Sequence, residues 1–233
     1  MNTYLFDLDG TLVDSRPGLF PSFEAGLKAV GISHVSAAQL GQFLGTPLPE
    51  MFRALKPDIS SDEIGIGIKA FRAEYERDGI AKNSVYPGVV KLLDAICRLN
   101  RTIWIVTSKP EPYAIQVVKQ LALDRYVAGV IGAGMDEKNT KSELVSRALI
   151  TAKADHVDTL MVGDRHYDVT GAIENAVLPI GALWGYGQYD ELYGAGCRLF
   201  ADSADGFRKQ FVEAEQMGSD TREMRRRMTN LAR

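Results

Sequence analysis

Two textures alternate along this chain. Short, nearly continuous apolar runs, Tyr4-Leu5-Phe6, Thr102-Ile103-Trp104-Ile105-Val106, Val127–Ile131, Thr159–Val162 and Pro179–Trp184, each stop at a glycine or a polar residue. They predict strands buried on both faces. Apolar positions recur at helical spacing over Val89–Leu99, Pro112–Leu121, Lys141–Ala152 and Val169–Asn175, with a weaker strand and helix between Arg198 and Phe211. Strand and helix in alternation mean crossover units, hence an α/β fold whose Rossmann-like core is a parallel sheet with helices on both faces. In such sheets ligands bind at the carboxyl ends of the strands.

The stretch between the first and second core runs is far longer than one crossover helix requires, and its pattern is helical. Phe20, Phe23, Leu27 and Val30 form one stripe, Met51, Phe52 and Leu55 a second, and Ile64, Ile68, Phe71 and Tyr75 a third, punctuated by Gly31, Gly45, Pro47, Pro57 and Gly79. The expected division is therefore an α/β core over 1–15 and 85–213, an inserted α-helical cap domain over 16–84, and a charged tail over 214–233. A helical insert at this point can act as a lid that excludes water and selects the substrate. Within it, Phe43-Leu44-Gly45-Thr46-Pro47-Leu48 reads as a helix-breaking turn ahead of a helix at Glu50. The tail carries Arg222, Arg225, Arg226 and Arg227 and a stripe of Met217, Met224, Met228 and Leu231; no function is assigned to it.

Composition narrows the class. The 233 residues are 45% hydrophobic and 24% charged, as in ordinary globular proteins, and the net charge of −3 gives no electrostatic reason to expect a nucleic acid or an anionic membrane as partner. Cys97 and Cys197 stand far apart with no paired histidines, so neither a disulfide framework nor a zinc site is indicated, and Cys97 reads as a packed thiol. No signal segment and no apolar run approaching the ~20 residues of a membrane span is present. A cytoplasmic setting is expected.

Candidate chemistry gathers at the predicted strand ends. Asp7 and Asp9, two apart, project to the same side where the first strand runs out, and like charges held so close need a cation or a shared proton. Gly10 and Thr11 follow in a turn that Asp-Gly alone would explain. Thr107 and Ser108 end the second core strand and could equally start a helix. Lys141 opens a helix capped by Asn139 or Thr140; a cation there opposes the helix dipole and suggests a nearby anion, with Lys138 as the competing lysine. Gly163-Asp164 ends another strand, and Asp168, four residues on, reads as a helix N-cap or as a further contact near a metal. His166 reads as a surface loop residue.

The order Asp7-Leu8-Asp9-Gly10-Thr11, Thr107-Ser108, Lys141 and Gly163-Asp164-Arg165 with Asp168 resembles the four motifs of the haloacid dehalogenase-like hydrolases. Gly171-Ala172 and the Gly181–Gly187 run with Trp184 and Tyr186 bring it nearest the phosphoglycolate-phosphatase-like branch. The resemblance implies a Mg²⁺-dependent phosphatase acting on small phosphorylated metabolites. In it Asp7 is the nucleophile, Asp9 the general acid and base, and Lys141 the charge-neutralising lysine. Leu8, Gly10, Thr11, Thr107, Ser108 and Lys141 would surround the phosphate. The metal would be held by Asp7, Asp164 and the backbone carbonyl of Asp9, with Asp168 in its outer shell, and Phe43–Leu48 would be the cap's specificity loop. Many relatives carry asparagine where Ser108 stands. A dehalogenase would not need Asp9; a phosphonatase would need a Schiff-base lysine, and nothing singles out Lys28, Lys56 or Lys69. A phosphomutase shares every core motif, and a catalytically silent binding module is the rival from another class. Substrate and oligomeric state are not legible.

Overall fold

The computed structural model describes residues 2–212, so the expected tail over 214–233 lies outside the described residues. In chain order the strands are β1 (Thr3–Phe6), β2 (Val13–Asp14), β3 (Ser84–Val85), β4 (Thr102–Pro110), β5 (Gly129–Ala133), β6 (Thr159–Gly163), β7 (Leu178–Ala182) and β8 (Phe200–Ala201). The helices are α1 (Arg16–Ala29), α2 (Ala37–Gly41), α3 (Leu48–Leu55), α4 (Ser61–Glu74), α5 (Val89–Arg98), α6 (Glu111–Gln120), α7 (Lys141–Ala152), α8 (His166–Glu174), α9 (Tyr189–Gly194) and α10 (Ala204–Phe207). The described residues divide into two compact units, one holding those up to Leu12 and from Val85 to Val212, the other Val13–Ser84. No described helix is long and apolar enough to cross a membrane.

The first unit is built on a six-stranded sheet in the order β5-β4-β1-β6-β7-β8, with every adjacent pair parallel. β1 lies inside it and is buried at all four positions. Its alternating side chains serve two cores. Tyr4 and Phe6 pack edge-on against Phe207 of α10, at centroid distances of 6.5 and 6.0 Å. Leu5 joins Val106, Ile131, Leu144, Val145, Met161 and Ala172, which brings α7 and α8 onto the same face. Phe6 stands opposite Ile105 of β4 and Val162 of β6. The next residues along, Asp7, Val106 and Gly163, are thereby level, so the ends of β1 and β6 open beside the middle of β4.

Several boundaries differ from the periodicity. β4 continues through Thr107-Ser108-Lys109-Pro110, past the Thr107-Ser108 pair expected to end it, with its register against β5 shifting between Thr107 and Pro110. The polar side chains of Thr107 and Lys109 are buried there, so the chain stays extended. α8 begins at His166 rather than Val169, because Asp168 accepts a hydrogen bond from the Arg165 amide at 3.1 Å and closes the first turn earlier. α9 was not foreseen; it follows the glycine-rich Gly181–Gly187 run. β5 sits two residues later than its apolar run suggested.

The second unit is helical, as its three stripes imply. Phe23 of α1 meets Phe71 of α4 at 5.4 Å, and Phe71 stacks on Tyr75 at 5.9 Å. Ser36 with Gln39 and Ser60 with Glu63 form reciprocal capping boxes at the starts of α2 and α4. Pro47 stands at the start of α3, which begins at Leu48, two residues before the expected Glu50. α1 comes so close to the π-helical turn Tyr75–Gly79 that a Cβ on Gly18 would fall 2.1 Å from the Gly79 carbonyl oxygen. Gly18→Ala is accordingly expected to lower stability in urea unfolding by about 1–3 kcal/mol through forced separation of these segments. Gly65→Ala, on the open side of α4 with nothing within 4 Å, is expected to raise it by up to about 1 kcal/mol.

Candidate active site

The strand ends supply carboxylates and α7 supplies the cation that joins them. Thr140 and Glu143 cap α7 reciprocally, which makes Lys141 its first residue. The buried Lys141 Nζ donates to Asp7 Oδ1 at 2.7 Å and to the Val106 carbonyl at 3.0 Å, and lies 2.7 Å from Asp168 Oδ1. Two anions thus offset the dipole penalty of a lysine at a helix start. The competing Lys138 is exposed and faces Asp136 at 3.7 Å.

Asp168 is the third residue of α8 rather than its N-cap. One of its oxygens holds the Arg165 amide and the other faces Lys141. Asp164 follows β6 and is fully buried. Its Oδ1 accepts from the Thr11 hydroxyl at 2.9 Å and its Oδ2 from the Tyr186 amide at 2.8 Å, while Trp184 Nε1 donates to the Thr11 carbonyl at 2.9 Å. The loops after β1 and β7 therefore clamp this carboxylate together. Gly10 has φ +87°, and a Cβ there would lie 2.3 Å from Asp164 Oδ2, so both its backbone conformation and the space require glycine. Leu8 closes the same turn, its carbonyl accepting from the Thr11 and Leu12 amides.

Asp7, Asp164 and Asp168 each offer an oxygen within 4.8 Å of the others, and all three are buried. The Asp9 side chain stands apart from them. Its Oδ2 is 2.7 Å from Lys109 Nζ, so the two aspartates of the first motif, expected side by side, are held by different lysines. Thr107 Oγ1 accepts from the Lys109 amide at 3.2 Å, and Ser108 lies between them on β4. His166 is not a loop residue: it opens α8, with Nδ1 2.8 Å from Glu191 Oε1 on α9, an oxygen that also accepts from Arg165 Nε. Lys109 and Glu191 were missed in the sequence. For Lys109 the available signal was its position two residues after Thr107 on a strand, which puts both on one side.

Three buried carboxylates against one ammonium leave two surplus negative charges. Burial, reinforced by Asp168 and only partly countered by Lys141, pushes the Asp7 carboxyl up to about 7. Burial, then Asp7 and Asp168, likewise raise Asp164 well above the usual carboxylate range. Burial works against the Lys141 charge, but Asp168 and Asp7 outweigh it and raise its pKa. Closely placed hard oxygen donors with surplus negative charge fit a divalent cation such as Mg²⁺.

The sequence signature described as haloacid dehalogenase-like hydrolase matches residues 4–181. A 5'-nucleotidase of Pseudomonas aeruginosa is 34% identical over 81% of this chain and 85% of its own length. The tyrosine-protein kinase PtkA of Mycobacterium tuberculosis is 32% identical over 80% of this chain, which spans 63% of that protein. A phosphoglycolate phosphatase of Vibrio parahaemolyticus is 27% identical over 85% of this chain and 90% of its own. Among solved structures, a predicted phosphatase from Clostridium acetobutylicum superimposes with a TM-score of 0.86 at 31% identity, covering 91% of this chain and 98% of that one.

The charge surplus predicts a pH-dependent response to a divalent cation. With Asp7 near 7 and Asp164 raised, the metal-free folded state keeps protons that the unfolded chain releases above about pH 4, so these groups make stability fall as pH rises from about 4 to 7. Mg²⁺ held by these carboxylates would compete with those protons. Its stabilisation, about 2.7 kcal/mol at a hundred times its Kd, should be full at pH 8 and much smaller at pH 5 in thermal unfolding, and Asp164→Asn should abolish most of it. An equal response at both pH values, or in the variant, would contradict this assignment.

Proposed function

Because the chain belongs to the haloacid dehalogenase-like hydrolase family, we propose that its acidic cluster hydrolyses small phosphomonoesters in two steps, with the phosphoryl group carried on Asp7 in between. Relatives named 5'-nucleotidase and phosphoglycolate phosphatase support phosphoric monoester hydrolysis as the activity. The observation that carries the two-step reading is the Lys141 ammonium on Asp7 Oδ1. It fixes the carboxylate through one oxygen and leaves the other as the attacking atom.

Asp7 attacks phosphorus and the bond to the leaving oxygen breaks, its electron pair going to that oxygen. Asp9 gives the leaving oxygen a proton, then takes one from the water that attacks the phosphoryl group, and Asp7 departs as carboxylate. Lys141, the hydroxyls of Thr107 and Ser108 and the amides of the Leu8–Thr11 turn are the proposed donors to the phosphoryl oxygens. Asp7, Asp164 and the Asp9 carbonyl would hold Mg²⁺, with Asp168 behind them; when bound it would offset the surplus charge and draw charge from the phosphoryl oxygens. A dehalogenase attacks carbon and would leave Asp9 without a task. Substrate choice is assigned to the helical unit, with Phe43–Leu48 as its selecting segment. The two unpaired thiols support a reducing, cytoplasmic setting.

The test is phosphate release from a panel of nucleoside 5'-monophosphates, phosphoglycolate and sugar phosphates, with and without Mg²⁺. Turnover should require the metal and fall on the order of 10³-fold or more in Asp7→Asn. Isomerised rather than dephosphorylated sugar would favour a phosphomutase. Metal-independent turnover would remove the metal from the reaction, and no turnover on any substrate would remove the phosphatase reading.

A further inference from the structure

The reaction above leaves one buried lysine without a task. Lys109 is 5% exposed at its side chain, and its Nζ stands 2.7 Å from Oδ2 of Asp9, itself 13% exposed. Lys141 already faces Asp7 and Asp168, so the lysines divide the carboxylates between them. Lys109 is also tied to Thr107, whose hydroxyl accepts its amide hydrogen. One residue of β4 thereby orients a side chain on its own strand and another in the loop after β1. The second oxygen of Asp9, Oδ1, is buried and meets no hydrogen-bond partner among the described residues. An unpaired buried acceptor is costly, and here Lys109 anchors the carboxylate through the other oxygen.

We propose that Lys109 is the positioning residue for Asp9: it fixes Oδ2 and so presents Oδ1 as the atom that hands its proton to the leaving oxygen. The inference rests on the phosphatase reading and on Asp9 as its acid, and adds the residue that aims it. In the step concerned, the Asp9 Oδ1–H bond breaks as the proton goes to the leaving oxygen, while the electron pair of the P–O bond passes to that same oxygen. A poor leaving group, the alkoxide of an alkyl phosphate, needs this proton; p-nitrophenolate does not.

The experiment compares kcat/KM, which reports events through leaving-group release, for the best alkyl phosphate of the panel and for p-nitrophenyl phosphate. Lys109→Met should lower the alkyl value by about 10²-fold or more, the range of a lost general acid, and the p-nitrophenyl value by less than about 10-fold. Lys109→Arg should recover part of the alkyl activity, and Lys109→Met should add little in an Asp9→Asn background. Circular dichroism and thermal unfolding check that each variant is folded. Equal losses on both substrates, or additive losses in the double variant, would overturn the proposal and place Lys109 on the phosphoryl group or in the fold alone. A wild type inactive on both substrates would instead remove the phosphatase reading, and this inference with it.

Discussion

The Lys141 ammonium is buried between two carboxylates, 2.7 Å from each, with a carbonyl at 3.0 Å. A charge cannot be taken out of water without such partners, and removing one of a buried pair costs about 3–5 kcal/mol. Much of the sheet unit has to be arranged for the contact to exist. β1 must deliver Asp7 level with Val106 of β4 and Gly163 of β6, which its parallel register on both sides does. α7 must begin at Lys141 itself, which the Thr140–Glu143 capping box ensures. α8 must begin early enough for Asp168 to stand in its first turn, and that residue's own bond to the Arg165 amide brings this about.

The same contact leaves a charge imbalance. Lys141 balances one of three clustered carboxylates, and burial pushes the Asp7 carboxyl up to about 7 and raises Asp164 well above the usual carboxylate range. A bound divalent cation would relieve that cost, so the electrostatics that destabilise the metal-free site would also drive its affinity. Asp9, next but one to Asp7 in the chain, escapes the cluster by pairing with a second lysine. In the proposed reaction the two neighbouring aspartates serve different chemistry, Asp7 in attack and Asp9 in proton transfer, and each has its own cation.

What was legible in the sequence was local. The all-apolar Tyr4-Leu5-Phe6 run, the Asp-Gly turn, a lysine opening an amphipathic helix and a Gly-Asp closing an apolar strand each carry their meaning within a few residues, and the sheet then brings them together. What was missed depends on partners distant in sequence. Lys109 went unnoticed because its partner, the Asp9 carboxylate, lies a hundred positions away. Asp168 looked like a cap, which in part it is, but its other oxygen belongs to Lys141. Nothing near His166 announced Glu191. Within the helical unit the stripes gave the helices, while the close approach at Gly18 could not be read from periodicity.

Trapping the phosphoryl group is the most direct test of the nucleophile assignment. The enzyme would be mixed with a phosphomonoester labelled in the phosphoryl group, quenched in acid within milliseconds, and mapped by peptide. The account predicts label on the peptide that carries Asp7, stable in acid and released by hydroxylamine as an acyl phosphate would be. Active turnover with the label on any other residue would contradict it.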